Sequence, residues 1–149
     1  MSEIRVVNGD EVRNLRISVF ADEQGYPVEK LFDEYDNTAG YLALFDEGNA
    51  VGCGRFYKEA DKIFHIDNIA FASSARGGGK GREMVNALVA QCRKNGAEKV
   101  TVNAQSHAVG FYEKCGFAVC DCEFTDETRK NVPMVISFEF DGAEYVMSQ

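Results

Sequence analysis

No apolar run in this chain of 149 residues is long enough to cross a membrane, because a bilayer-spanning helix needs roughly 20 consecutive apolar residues. The residues that follow Met1 also lack the basic and then apolar regions of a secretory signal. We therefore expect a cytoplasmic protein that makes no membrane contact.

The chain is also short of basic residues. Its 16 Lys and Arg stand against 24 Asp and Glu, which gives a formal net charge of −8. Proteins that bind nucleic acid need a net basic face that replaces the counterions of the phosphates, so general nucleic-acid binding is excluded. A local basic spot for a small anion stays compatible with this balance, because attraction of a ligand depends on local charge.

The five cysteines form no Cys-x-x-Cys pair, and no histidine stands at the spacing of a zinc site. The two histidines, His65 and His107, stand apart. The sequence therefore predicts no metal site, and we expect reduced thiols in a cytosolic protein. Cys120 and Cys122 would point to the same side of a strand. They form either a redox pair or, as we favour, small apolar filling.

Only two prolines interrupt the chain, and no repeat, low-complexity tract or linker divides it. We expect one domain over residues 1–149. Apolar spacing predicts helices from Asp10 or Glu11, after Pro27, after the glycines at 77–81, and over 107–115. Strand patterns fall at 4–7, 41–45, 50–57, 62–71, 99–104, 117–124 and 132–140, with a hairpin turn at 46–49. This order predicts an α/β (α+β) fold, with a mixed sheet of six or seven strands and helices on both faces.

A glycine-rich turn stands between the strand that ends near Phe71 and an amphipathic helix. Glycines permit a tight backbone, and the first N–H groups of a helix have no acceptor within it. With the helix dipole and the charges of Arg76, Lys80 and Arg82, they would attract a phosphate group. The alternative is a flexible loop that only caps the helix. A nucleotide P-loop is excluded because Gly81 follows the lysine in place of Ser or Thr, and a dinucleotide fingerprint because position 82 is not glycine.

The pattern that remains, Arg-x-x-Gly-x-Gly at Arg76, Gly79 and Gly81, resembles the acyl-CoA pyrophosphate loop of the GNAT superfamily of N-acyltransferases. The run Phe-Tyr-Glu-Lys-Cys-Gly-Phe at 111–117 resembles the helix that follows the family's next strand. The segment 65–70 resembles the His-Ile-Glu-Asp-Ile-Ala segment of glucosamine-phosphate N-acetyltransferases. Residues of the N-terminal half resemble the ElaA-type branch of the superfamily: Arg16, Val19, Phe20, Glu23, Gln24, Pro27, Glu34, Asp36 and Ala39.

This resemblance implies the GNAT fold and an acetyl-CoA-dependent N-acetyltransferase that forms no covalent enzyme intermediate. It implies that the strand ending at Phe71 separates from the strand at 100–104 and opens a cleft for acetyl-CoA. Tyr112 matches the family's general acid, and a phenol with an ordinary pKa of about 10 starts protonated, as an acid must. The alternative is a tyrosine packed in the core beside Phe111 and Phe117. The implied cofactor-binding residues are Ile69, Ala70, Phe71, Arg76, Gly77, Gly78, Gly79, Lys80, Gly81, Arg82, Gln105, Phe111 and Tyr112.

The acceptor's ammonium group must lose a proton before it attacks, and two residues on one strand face are candidate bases, His65 and Asp67. Histidine, with an ordinary pKa of about 6.5, suits this role better. Asp67 stands where the glucosamine-phosphate enzymes carry Glu and is one methylene shorter, so a water chain would bridge the difference. His107 and the pair Glu34 and Asp36 stand behind these two. The alternatives are a half-buried strand histidine and an aspartate that anchors a loop.

Glu34 and Asp36 match the ElaA-type pattern on the acceptor side of the family's cleft, so the resemblance implies that they bind the substrate amine. A solvated acidic surface is the alternative. The acceptor stays open: the net charge favours a small cationic amine, and an amino-sugar phosphate or a peptide amine is the alternative. A non-catalytic acyl-CoA sensor on the same fold is the competing function, although binding alone does not need Tyr112. Members of the superfamily often dimerise, so a homodimer is a further expectation.

Overall fold

The computed structural model describes residues 2–120 and 131–138. The helices are α1 (Arg13–Arg16), α2 (Val28–Leu31), α3 (Lys80–Lys94) and α4 (Val109–Lys114). The strands are β1 (Ser2–Val7), β2 (Gly40–Asp46), β3 (Asn49–Ala60), β4 (Ile63–Phe71), β5 (Lys99–Gln105), β6 (Ala118–Val119) and β7 (Asn131–Ser137). Short 3-10 turns cover Gly9–Val12, Glu34–Asn37, Ser73–Ala75 and Ser106–Ala108, and a π-helical segment covers Ile17–Glu23.

The seven strands form one sheet in the order β1-β2-β3-β4-β5-β7-β6. Neighbouring strands run antiparallel except β4 and β5, which are parallel. The two-residue turn between β2 and β3 has positive φ at both Glu47 (51°) and Gly48 (84°), which matches the right-handed twist of a hairpin. The predicted mixed sheet and the predicted hairpin are therefore confirmed.

Alternate residues of β2 pack into two separate apolar cores. Leu42 and Leu44 pack against the buried side of α3. Tyr41, Ala43 and Phe45 pack against the N-terminal helical residues. Because successive side chains of a strand point to opposite faces, helices lie on both faces of the sheet, as predicted.

The N-terminal helical stretch begins one residue before the predicted Asp10. It starts at Gly9 because Asn8 caps it: Asn8 Oδ1 accepts from the Glu11 N–H (3.1 Å), and Glu11 Oε1 accepts from the Asn8 N–H (3.4 Å). The stretch then passes through α1 into the π-helical segment, so it is not one regular helix. Segments of π-helix are rare and occur frequently at functional sites.

α3 and α4 are each followed by a glycine in the left-handed conformation, Gly96 (φ 98°) and Gly116 (φ 100°), as is common where a helix ends. Cys53 and Cys92 are buried in the two cores, where they act as small apolar filling. The predicted strand residues 121–124 and 139–140, and with them Cys122, lie outside the described residues. Among the helices that the structure describes, none combines the length and apolarity needed to span a bilayer.

Candidate active site

The two parallel strands of the sheet separate along their length. Over β4 and β5, both described in full, pairing covers three positions and ends where His65 meets Thr101. Beyond that point β4 follows β3 to Phe71, whereas β5 follows β7 to Gln105. A cavity of about 470 Å³ lies between the separated ends and is lined by both strands. The predicted separation, and the cleft that it opens, are confirmed.

β4 carries a bulge beside this cavity. Asp67 pairs with Arg55 and Ala70 with Cys53, so two residues of β4 oppose one of β3. At Asn68 in this bulge φ is 52°, a left-handed conformation that costs a non-glycine residue about 1–3 kcal/mol and that clusters at functional sites. A bulge leaves a backbone group outside the ladder, here at the wall of the cavity.

The backbone of the glycine-rich turn is one that other residues adopt only with strain. Gly77, Gly78 and Gly79 have φ of 90°, 67° and 79°, and a Cβ at any of them would meet nothing within 4 Å. α3 begins directly after Gly79, which has no side chain to cap the first N–H groups of the helix. Those N–H groups, the helix dipole and the side chains of Lys80 and Arg82 make a favourable environment for an anion.

Arg76 turns back from the loop toward the sheet. Its Nε donates to the Phe71 carbonyl (3.0 Å), and its guanidinium pairs with Glu23 of the π-helical segment. The Arg76 side chain therefore braces the start of the loop against its neighbours, whereas Lys80 and Arg82 lie in the first turn of α3.

A groove of about 610 Å³ runs along the end of β4. Its lining residues are Val19, Glu23, Gln24, Ile69, Ala70, Phe71 and Arg76. Gln24 and Ile69 line both this groove and the cavity. The two spaces therefore adjoin along β4, and the groove reaches Arg76, the residue that directly precedes the glycines of the turn.

Tyr112 enters the cavity from α4. Its ring packs edge-to-face on Phe111 (5.1 Å between centroids) and Phe117 (5.8 Å). Burial, helped by the charges of Cys115 and Asp67, raises the pKa of Tyr112 to about 12. The hydroxyl is therefore protonated at neutral pH and can donate a proton inside the cavity.

His65 and Asp67, the two candidate bases, both line the cavity. The His65 ring lies 2.7 Å from the Thr101 hydroxyl through Nδ1, and burial lowers its pKa below the ordinary 6.5. Asp67 is held by Arg55, whose Nε and Nη2 each donate to one carboxylate oxygen at 2.8 Å. Asn68 Nδ2 also donates to Asp67 Oδ1, at 3.0 Å. Both carboxylate oxygens of Asp67 therefore already accept hydrogen bonds.

Two buried arginines tie the acidic segment 33–36 to the sheet. Arg55 donates to Asp33 through Nη1 (2.7 Å) and Nη2 (3.1 Å), and Arg16 donates to Asp36 through Nη1 (2.8 Å). Burial alone would raise the pKa of Asp36, but hydrogen bonds from Tyr41, the Asp33 N–H and Arg16 outweigh it and lower that pKa from 3.8 to about 2. This network fixes the segment beside the cavity.

The family of the chain follows from the comparison of its sequence with family models. Residues 8–138 match the family model described as an acetyltransferase (GNAT) domain. The chain is a GNAT-family N-acetyltransferase. This acetyltransferase is 34% identical over 122 residues to the uncharacterized N-acetyltransferase YjcF of Bacillus subtilis (strain 168), covering 81% of this chain and 86% of that protein.

Two further comparisons bear on the predicted resemblances, the first on the sequence and the second on the fold. The acetyltransferase is 32% identical over 84 residues to glucosamine 6-phosphate N-acetyltransferase 1 of Oryza sativa subsp. japonica, over 56% of this chain and 45% of that protein. The crystal structure of Escherichia coli ElaA matches with a TM-score of 0.78 and 20% identity, over 92% of this chain and 100% of that chain. At this identity the second match shows the fold, which is the predicted GNAT fold.

The structure places most of the acetyltransferase's predicted site residues along the cavity, the groove and the glycine-rich turn. Four of them line the cavity alone: His65, Asp67, Gln105 and Tyr112. Ile69 lines both the cavity and the groove, Ala70, Phe71 and Arg76 line the groove, and the residues 77–82 form the turn and the start of α3. Phe111 lies against this turn, 3.4 Å from where a Cβ of Gly81 would stand.

The two predicted substrate residues are placed differently from one another. Glu34 is exposed and does not line the cavity. Asp36 does not line the cavity either, and its Oδ1 accepts hydrogen bonds from both Arg16 and Tyr41. Asp33, at the start of the same segment, does line the cavity. The acidic residue of this segment at the cavity is therefore Asp33, whereas the resemblance implied Glu34 and Asp36.

Three side chains of the acetyltransferase's site are not among the predicted site residues: Arg55, Thr101 and Asp33, although Asp33 belongs to the acidic segment in which Glu34 and Asp36 were predicted to bind the amine. The sequence does contain a signal for Arg55, because this charged residue stands among small and apolar residues of a strand, in the run Gly-Cys-Gly-Arg-Phe at 52–56. A charged residue in such a strand is rarely buried unless it is paired, so an acidic partner could have been expected. Thr101 carried none, since a threonine in a strand is ordinary.

Proposed function

We propose that the protein transfers an acetyl group directly from acetyl-CoA to a primary amine of a small acceptor, with Tyr112 as the general acid. The observation that carries this proposal is the position of Tyr112 in a cavity that adjoins a groove along β4, which reaches Arg76 directly before the glycine-rich turn. A proton donor therefore stands at one end of a path whose other end suits a pyrophosphate.

The residues present fit acetyl-CoA. The three left-handed glycines have open space around them, and the uncapped start of α3 offers N–H groups to a pyrophosphate. Gly77, Gly78, Gly79, Gly81, Lys80 and Arg82 would hold that group, while Ile69, Ala70 and Phe71 would bind the pantetheine arm along β4. Acetyl-CoA, when bound, supplies the thioester carbon and the thiol that leaves.

Tyr112 would protonate the departing sulfur, since its phenol is protonated at neutral pH. Gln105 lies on the β5 side of the same cavity and would contact the pantetheine arm. Phe111 would support the turn and the ring of Tyr112.

The acceptor would bind where Asp33, Asp67 and Lys30 line the cavity. The two carboxylates favour an acceptor that approaches as a cation, and Asp36 and Glu34 would contribute at longer range. An amino-sugar phosphate is the second candidate, because one relative is named a glucosamine 6-phosphate N-acetyltransferase. Lys30 supports it: among the described residues that line the cavity, Lys30 is the cation without an ion pair.

The test starts with calorimetric titration of the purified protein with acetyl-CoA, and ATP and NADP serve as controls. Micromolar binding of acetyl-CoA alone supports the cofactor path. Thiol release is then measured with spermidine, glucosamine 6-phosphate, glucosamine, lysine and a tripeptide. Binding without thiol release from any primary amine would favour a non-catalytic acyl-CoA sensor, and absence of binding by the folded protein would contradict both functions.

The single domain over residues 1–149, a cytoplasmic location and a homodimer stay predictions. Size-exclusion chromatography with light scattering tests the last of these, and limited proteolysis tests the first.

A further inference from the structure

His65 lies at the point where β4 and β5 part. It is the last residue of β4 to pair with β5, it is 7% exposed, and it lines the cavity. Its partner in that pair, Thr101, is also its hydrogen-bond partner, with 2.7 Å between Nδ1 and Oγ1. One ring nitrogen is therefore fixed by the neighbouring strand, and the chemistry of the other depends on which nitrogen carries the proton.

A third side chain sets the direction of this hydrogen bond. Thr101 Oγ1 donates to Glu59 Oε1 at 2.9 Å. An ionised carboxylate accepts hydrogen bonds and donates none, and a hydroxyl has a single proton to donate. The other acceptor near this hydroxyl is the Phe64 carbonyl at 3.5 Å, which also accepts and cannot donate. Because Thr101 donates its single proton to one of these acceptors, it is placed to accept from His65 Nδ1, and this arrangement favours a neutral His65 ring with its proton on Nδ1 and a lone pair on Nε2.

A bulge in β3 directs Glu59 toward Thr101. Lys58 pairs with Phe64 and Ala60 with Ile63, so Glu59 is the additional residue of β3. Such bulges re-aim a side chain, and here the carboxylate reaches across β4 to a residue of β5. The chain of contacts from Glu59 through Thr101 to His65 thus spans three strands at the origin of the cleft.

Nε2 of His65 has no hydrogen-bond partner among the described residues, and it is not fully buried, because Arg16 Nε is the one fully buried side-chain nitrogen or oxygen without a partner among them. Since the His65 residue lines the cavity and Nδ1 is bound to Thr101, Nε2 is the ring nitrogen available to a ligand there. Burial lowers the pKa of the ring, which the charges of Asp67 and Glu59 oppose and that of Arg55 reinforces. The ring of Tyr57 on β3 lies 5.4 Å away. His65 is therefore neutral at neutral pH and able to take a proton.

We propose that Glu59 and Thr101 are positioning residues that hold His65 in its Nδ1–H tautomer, so that His65 Nε2 removes the proton of the acceptor's ammonium group. The step breaks one N–H bond of the ammonium and forms the Nε2–H bond, which leaves a neutral amine and an imidazolium. The imidazolium donates through Nδ1 to Thr101, and Glu59 stabilises its charge. Its proton passes to water when the products leave. This inference rests on the proposed function, and it assigns the base to His65 because Arg55 already occupies both oxygens of Asp67.

The tautomer is tested by long-range ¹H–¹⁵N correlation spectra of the histidine rings, with the variant His107→Gln to assign the signals. We expect His65 to show a protonated Nδ1 and an unprotonated Nε2 in the wild type, and Thr101→Val to lose this preference while Thr101→Ser keeps it. A wild-type ring protonated on Nε2 overturns the proposal. This readout needs neither acetyl-CoA nor an acceptor.

The proton transfer is tested by kcat/KM against pH, with whichever amine of the panel releases thiol. We expect His65→Gln to lower kcat/KM by about a hundredfold and Thr101→Val by about tenfold or more, with Thr101→Ser within about threefold and the Kd of acetyl-CoA unchanged. Glu59→Gln should shift the acid limb of the profile to lower pH, because it removes a charge that favours the imidazolium. The matched control Glu98→Gln removes a nearby exposed carboxylate that pairs with Lys62 and should leave the profile in place.

Equal kcat/KM for Thr101→Val and the wild type, or an unchanged acid limb in His65→Gln, contradicts the proposal. The proposed function and the roles of Glu59, Thr101 and His65 can be contradicted separately. A folded wild type that does not bind acetyl-CoA overturns the proposed function and the base with it, whereas a protein that binds acetyl-CoA and acetylates an amine without these changes overturns the role of Glu59, Thr101 and His65 alone.

Discussion

Replacing Arg55 with Met should reduce both the stability of the protein and the order of the acceptor side of the cavity. Methionine keeps a linear apolar stem of similar length but removes every N–H donor of the guanidinium. Four hydrogen bonds are lost, two to Asp67 and two to Asp33. The carboxylates that remain are then left near one another without their shared cation.

The magnitude follows from how deeply each partner is buried. Breaking a buried ion pair costs about 3–5 kcal/mol, because an unpaired charge stays behind. The side chain of Asp33 is 44% exposed, so water replaces its bonds and its share is below about 1 kcal/mol. Asp67 is 27% exposed and accounts for the larger part. We expect the free energy of unfolding to fall by about 3 kcal/mol.

Urea unfolding at pH 7 measures this loss, and two further variants sharpen the test. Arg55→Lys keeps the charge but loses the planar fork that bridges two carboxylates, so it should fall between the wild type and Arg55→Met. Asp67→Asn in the Arg55→Met background removes the stranded charge and should restore about 1–2 kcal/mol. Losses below about 1 kcal/mol for both Arg55 variants, or a double variant no more stable than Arg55→Met, would refute this account of the network.

Three other perturbations test the site. Tyr112→Phe should lower turnover at neutral pH about tenfold or more and leave the Kd of acetyl-CoA within about threefold; unchanged turnover excludes Tyr112 as the acid. Gly79→Ala places a Cβ on a backbone with φ of 79°, so the free energy of unfolding should fall by about 1–2 kcal/mol, and calorimetry should show weaker acetyl-CoA binding. The control Gly110→Ala, inside α4 with open space around it, should bind acetyl-CoA normally. Because the pKa of Asp36 is lowered from 3.8 to about 2, its ionised form stabilises the fold above about pH 4, and this contribution disappears as the pH falls toward 2. Asp36→Asn should therefore cost about 1–2 kcal/mol at pH 7 and much less at pH 2.5, and equal losses in urea unfolding at both values would contradict the low pKa.

The strands, the hairpin and the glycine-rich turn could be predicted because their signals are local. The turn between β2 and β3 is marked by two adjacent residues, Glu47 and Gly48, and the stop of α3 by Gly96. The division of the N-terminal helical stretch into three kinds of helix could not be predicted, since apolar spacing does not distinguish 3-10, α and π geometry over a few residues.

The contacts of the site were less accessible, because they depend on pairing between distant strands. Arg55 meets Asp33 and Asp67 from positions 22 and 12 residues away, and no local pattern fixes those distances. Within the acidic segment, the side chain of Asp33 caps the 3-10 turn that follows it, and this turn decides that Asp33 lines the cavity and Glu34 does not. A sequence pattern does not distinguish which of two adjacent acidic residues, Asp33 or Glu34, lines the cavity.

The separation of β4 from β5 has a consequence for cooperativity. The sheet is divided there into a four-stranded and a three-stranded half that share three residue pairs. The apolar core does not follow that division: Leu88 of α3, Ile66 of the first half, and Val100 and Met134 of the second belong to one buried cluster. We therefore expect the two halves to unfold together through shared side-chain packing, although few backbone hydrogen bonds connect them. A small rotation about the last shared pair would widen or narrow the cleft without exposing that core.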